Sequence, residues 1–130
     1  QGQAASVAAG ERILLLARAQ GRVVGTVQLI PAGMPNGRHR AEVAKLLVHP
    51  DARRQGIARS LMEQVEQEAR ARGKRLLVLD TRSGDVAEQL YLSLGYQISG
   101  QIPDYVLSPS SHGSAPVWEP TTVMFKAIAA

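Results

Sequence analysis

The chain has 130 residues and no cysteine. That length fits one domain, and the missing thiols exclude disulfide scaffolds, thiolate metal sites and cysteine nucleophiles. Hydrophobic residues make up 45% but aromatics only 4%, so the core has to be aliphatic; the net charge of +4 favours an anionic partner such as a phosphorylated cofactor, an acidic substrate or nucleic acid.

The first ten residues, Q-G-Q-A-A-S-V-A-A-G, lack the basic start and apolar stretch of a signal peptide and read as a flexible lead-in. No apolar run is long enough to span a bilayer, so no membrane partner is expected and the cytoplasm is the default location. Residues 13–20 and 23–30, separated by Gly21-Arg22, read as a β-hairpin. Residues 31–40 carry two prolines, two glycines and an asparagine and read as a loop. Residues 41–48 read as a third strand with Lys45 as an awkward charge, broken by His49-Pro50-Asp51.

The clearest helix follows. Ile57, Leu61, Val65 and Ala69 recur every four residues, with Gly73 at the C-cap position. Glu66 with Arg70, and Glu68 with Arg72, are favourable pairs four apart. Residues 76–79 form an apolar run ending in Asp80 and read as a buried strand. Ser83-Gly84-Asp85 starts a second helix over 86–94, stopped by Gly95. Residues 96–102 and 121–127 read as strands, and residues 103–120, rich in Pro, Ser and Gly, as a loop. The order predicts a single α/β domain over 1–130. Its sheet is mixed and mostly antiparallel, with one parallel pair joined by a right-handed crossover and helices on both faces.

The informative stretch is V-H-P-D-A-R-R-Q-G-I-A-R-S-L, residues 48–61. A strand stops, a basic loop follows, and Gly56 leads straight into the long helix. The first turn of a helix has amides without an internal acceptor, and its macrodipole places partial positive charge there. Gly56 and Ala58 are small enough for ligand oxygens to approach the backbone, and Arg53, Arg54 and Arg59 add full charges. This is a device for a pyrophosphate. It is neither a Walker loop nor a G-x-G-x-x-G fingerprint. The bland alternative is a solvated Arg-rich turn before a surface helix.

Arg53 to Ala58 matches the [QR]-x-x-G-x-[GA] motif of the GNAT family of N-acetyltransferases, and L-Y-L-S-L-G-Y, residues 90–96, resembles that family's second signature. R-A-E-V-A-K-L-L-V, L-M-E-Q-V-E-Q and L-D-T-R-S-G-D-V-A-E are closer still to the tabtoxin-resistance branch of the family. Members begin with a strand and one or two helices before the hairpin, so the domain reads as N-terminally abbreviated. The resemblance implies acetyl-CoA as cofactor. Main-chain groups of Leu46, Leu47 and Val48 would take its pantetheine arm like an added strand. Arg53, Arg54, Gln55, Gly56, Ile57, Ala58 and Arg59 would hold its pyrophosphate. A bulge would splay the third strand from the next one to admit the thioester.

Acetyl transfer to an amine needs a base, an oxyanion donor and an acid for the leaving thiolate. Tyr91 shares a helix face with Ala87 and Leu94; the family places this hydroxyl near the cofactor sulfur, and packing between sheet and helix is the alternative. Glu42 opens the strand that leads to the cradle and is the leading base. By alternation it shares a face with Ala44, Leu46 and Val48, a parity that a bulge would reset. Its alternative is an exposed Glu paired with Arg38 or Arg40. Asp80, at a strand's carboxyl end, is the second carboxylate, as a base or a grip on the acceptor's amino group. Its alternative is capping of the Arg82 or Ser83 backbone. His39, His49 and His112 lack ligand spacing, so no metal is expected, and His49-Pro50 reads as a strand terminator. Asp104 and Tyr105 lie in a loop that could cross the acceptor site, and Trp118 reads as a packing anchor.

The sequence therefore points to a small-molecule acetyltransferase acting on an amino-acid-like or antibiotic-like acceptor. Alternatives are acetylation of a protein N-terminus or a polyamine, and a non-catalytic CoA-binding module. A nucleic-acid-binding role is disfavoured because the arginines cluster at one helix start without an aromatic platform. A homodimer is left open.

Overall fold

The computed structural model describes the backbone of residues 2–7 and the residues 12–109 and 115–129 in full. Two compact units form: residues 1–78 with 127–130, and residues 79–126.

In the first unit the strand order is β1 (Gly2–Val7), β2 (Arg12–Ala19), β3 (Arg22–Pro31), β4 (Arg40–Val48), β5 (Leu76–Arg82), with β5 ending in the second unit. The segment expected as a lead-in is a strand over 2–7, antiparallel to β2 from Gly2↔Ala17 to Val7↔Arg12. Its small and polar residues carry no clear alternation; backbone pairing to β2 places it, and sequence pattern does not report that. Ala8, Ala9 and Gly10 lie outside the described residues.

The hairpin forms as expected. Gln20 and Gly21, both at positive φ (53° and 75°), make the two-residue turn that suits the strand twist. Alternation then builds the core. Ile13 faces Leu29, Leu29 faces Val43, and Leu15 faces Val27, all buried. Helix α1 (Ile57–Ala71) lies over β2, β3 and β4 and buries Leu61, Met62, Val65 and Ala69. Both expected i,i+4 pairs form, Arg70–Glu66 at 2.7 Å and Arg72–Glu68 at 3.0 Å. Gly73, at φ 75°, ends the helix. The parallel β4–β5 ladder runs from Arg40↔Leu76 to Glu42↔Val78.

In the second unit the order is β5–β7–β6, with helix α2 (Val86–Ser93) between β5 and β6 in sequence. The Asp85 side chain accepts the Val86 amide at 2.8 Å, and Glu88 accepts the Gly84 amide at 3.2 Å, which caps α2. The loop expected over 103–120 is shorter than that. Strand β6 (Gln97–Ser108) and strand β7 (Val117–Ala127) pair on to Ser108↔Val117. Pro103, which argued for a loop, falls where the register shifts between Ile102 and Val106, a bulge that tolerates a missing amide. Asp104 at φ 53° belongs to the same irregularity, so Asp104 and Tyr105 are strand residues. Trp118 is opposite Leu107 and exposed, so it anchors no core. His112 lies outside the described residues. No described helix is long and apolar enough to cross a membrane.

Candidate functional site

The first unit carries the cradle, and a single glycine positions it. A Cβ on Gly25 of β3 would come within 2.9 Å of both Ile57 Cγ2 and Leu61 Cδ1. The first turn of α1 therefore sits directly on the β3 backbone, beside Val48, which pairs with Gly25. Gly25 is a site-building residue that sequence reading missed; the signal available was one glycine inside a β-branched strand.

Between Val48 and α1 the chain turns through a short 3₁₀ helix, Pro50–Ala52. His49 caps it, its Nδ1 accepting the Asp51 amide at 3.1 Å, which makes it the strand terminator expected. Ala52 is buried and anchors the turn. Arg54 and Gly56 then adopt positive φ, 64° and 74°. Gly56 is the N-cap, with no side-chain cap bond, and the first helical bond is Ser60 N–H to the Gly56 carbonyl, 3.0 Å. The Ile57 and Ala58 amides thus stand where an α-helix has no internal acceptor. Nothing lies within 4 Å of where a Gly56 Cβ would be. Arg53, Arg54, Gln55 and Arg59 are exposed around this opening. Open backbone, an uncapped dipole and guanidinium charge suit a diphosphate, so the residues fit the phosphate end of the implied cofactor.

Strand β4 contains the bulge that sequence cannot show. Thr26 pairs with Leu47 and Gln28 with Ala44, so Lys45 and Leu46 together oppose Val27. Lys45 takes φ 57°, which explains a charge within an apolar strand: the residue turns out to solvent. The bulge inverts parity. Gly25 and Leu29 lie on one face of β3, so their partners Val48 and Val43, an odd five residues apart, share a face as well, the one that meets α1. Glu42 therefore keeps Ala44 as a face neighbour but not Leu46 and Val48, and its side chain is exposed. The apolar surroundings that alternation predicts are not found. Glu42 is the last β4 rung paired with β5, opposite Val78.

The second unit carries the other two candidates. Asp80 is exposed, and its Oδ2 accepts from the Thr121 hydroxyl at 2.8 Å. It does not serve the turn as a backbone cap. The Ser83 amide goes to the Pro120 carbonyl at 3.3 Å, and the Ser83 hydroxyl contacts that of Thr122 at 2.8 Å. Tyr91 is 7% exposed and packs obliquely on Tyr96, with ring centroids 5.9 Å apart. Burial raises its phenol above the ordinary value, and the negative charges of Asp85 and Asp80 push the same way. Tyr91 thus keeps its proton through neutral pH. Glu119 and Arg82 form a two-bond pair at 2.7 and 2.9 Å. Glu119 is held below the usual carboxylate range by bonds from Ser108 and then Arg82.

A bulged strand running into an uncapped, arginine-flanked helix start gives this α/β fold an opening suited to an anionic ligand. The Acetyltransferase (GNAT) family profile matches residues 3–96, and the chain belongs to that family. Rat N-acetyltransferase 8B is 40% identical over 82 residues, covering 62% of this chain and 37% of that protein. A Salmonella typhimurium acetyltransferase solved with acetyl-CoA superposes with TM-score 0.75 at 25% identity, covering 92% of this chain and 66% of that one. An aminoglycoside 6'-acetyltransferase of type Ii gives 0.71 at 29%, covering 92% and 71%. The chain spans 37–44% of the length of the curated relatives it matches first.

Proposed function

We propose that the protein is an acetyl-CoA-dependent N-acetyltransferase acting on a small polar amine of amino-acid-like or antibiotic-like character. The observation that carries this reading is the open, glycine-led start of α1, set on β3 by the absent side chain of Gly25. The backbone from Arg54 to Arg59 would hold the diphosphate, and the β4 main chain at Leu46, Leu47 and Val48 would hold the extended arm. Bound there, acetyl-CoA supplies an acyl group activated as a thioester. The chain's own residues do the proton work. Glu42, an exposed carboxylate, is the leading base for the acceptor's proton, and Asp80, also exposed, is the second carboxylate, a base or a grip on the amino group. Tyr91 holds a proton at its phenolic oxygen for the sulfur that leaves.

The cationic preference rests on the two carboxylates. The resemblance of residues 40–48, 61–67 and 79–88 to the tabtoxin-resistance branch supports an amino-acid-like acceptor. The likeness to an aminoglycoside acetyltransferase supports an antibiotic-like one. The test is a panel of amino acids, aminoglycosides, polyamines and N-terminal peptides incubated with acetyl-CoA and read by free-thiol release. Turnover with a small polar amine is the expected result. Acetyl-CoA binding without thiol release from any amine would leave a binding module in place of an enzyme.

A further inference from the structure

One buried hydroxyl in the second unit stands between two acceptors. Thr121 is 1% exposed. Its Oγ1 lies 2.8 Å from Asp80 Oδ2 and 3.0 Å from the Thr81 carbonyl oxygen. A hydroxyl has one proton to give, so the two acceptors compete for it. The β-branched side chain is stiff at χ1, which fixes the oxygen and leaves only the proton free to turn. The Ser83–Thr122 hydroxyl contact and the Ser83 amide on the Pro120 carbonyl flank this point and hold the end of β5 to β7.

This arrangement satisfies both protonation states of Asp80. When the carboxylate is ionised, the Thr121 proton points at Oδ2, because a bond to a charged acceptor is the stronger one. When Asp80 is protonated, Oδ2 is either a weak neutral acceptor or, carrying the proton, a donor to Thr121 Oγ1. In both cases the Thr121 proton turns to the Thr81 carbonyl. No buried hydroxyl is left unsatisfied in either state, and that avoids the penalty a fixed donor would incur.

We propose that Thr121 is a positioning residue that lets Asp80 carry a proton reversibly. The inference rests on the reading of Asp80 as a group that takes the acceptor's proton. In that step an acceptor N–H bond breaks and an O–H bond forms on Asp80. The nitrogen keeps its electron pair for attack on the acyl carbon, and the proton later leaves through the exposed side of the carboxyl. Tyr91 of α2 feels the charge of Asp80, as it does that of Asp85 at that helix's start; Arg82 follows on Asp80's own strand, engaged by Glu119 of β7. All are unchanged in a Thr121 variant.

The experiment needs no acceptor. The Asp80 carboxyl carbon is followed by NMR across pH in the parent, Thr121→Val and Thr121→Ser. Valine removes the hydroxyl that donates to Asp80 Oδ2, so the variant's midpoint lies above the parent's. Serine restores the parental midpoint. An unshifted valine midpoint overturns the proposal; if valine is not tolerated, Thr121→Ala is read the same way. The acidic limb of kcat/KM, with acetyl-CoA and the amine that releases most thiol, then moves up with the valine midpoint. Full activity in Asp80→Asn overturns the role of Asp80 itself. That failure is told apart because the NMR shift in Thr121→Val persists.

Discussion

The two units build their contributions from different materials. In the first, the cradle is backbone: amides at an uncapped helix start, positive φ at Arg54 and Gly56, and an inverted strand after Lys45. In the second, the proposed chemistry lies in side chains: Asp80 on Thr121 and Tyr91 against Tyr96. A backbone site tolerates changes of side chain that leave φ and packing alone. A side-chain site fails atom by atom while the fold survives.

The largest break in that contrast is Gly56→Glu. A side chain at φ 74° is strained, and a carboxylate there repels a diphosphate. Acetyl-CoA affinity, measured by isothermal titration, is lost. Next is Tyr91→Phe, which keeps the ring packing and removes the proposed acid. Turnover falls by a factor of about 10²–10⁴ with acetyl-CoA affinity unchanged. Because burial raises the phenol, the alkaline fall in parental activity comes above the ordinary value of about 10, and this limb disappears in the variant.

Gly25→Val comes third. Its side chain enters a gap already filled by Ile57 and Leu61, and overpacking of this kind costs about 1–3 kcal/mol. Urea unfolding shows the loss. Acetyl-CoA affinity falls with it because the helix start is displaced, although position 25 touches no ligand. The smallest effect is that of Arg82→Ala. Arg82 and Glu119 form an exposed pair that solvent screens, so thermal unfolding at neutral pH barely changes. The depressed Glu119 carboxyl makes its contribution above the ordinary carboxylate range and loses it as pH falls through the folded value. The parent and variant therefore converge in acid.

Sequence carried the elements and the cradle far because both are local. The four-residue recurrence from Ile57 to Ala69 and the glycine before it specify helix, face and start together. What sequence concealed depends on partners distant in the chain. Lys45 looks like a misplaced charge until the pairing of Thr26 and Gln28 shows an extra residue opposite Val27. Gly25 looks like a weak strand residue until α1 lies on it. Asp80 looks like a turn former until Thr121, 41 positions later, takes its oxygen. Residues 2–7 and the far ends of β6 and β7 were hidden for the opposite reason: their composition suggests coil, and only a neighbouring strand makes them extended.

Strand β6 has a further consequence. It has no buried residue, it ends the strand order, and its ladder is interrupted where Pro103 and Asp104 fall. Few apolar contacts restrain it, so local opening is least costly there. The interruption also breaks up the row of free amides and carbonyls that another chain could pair with, which disfavours edge-to-edge pairing along this strand.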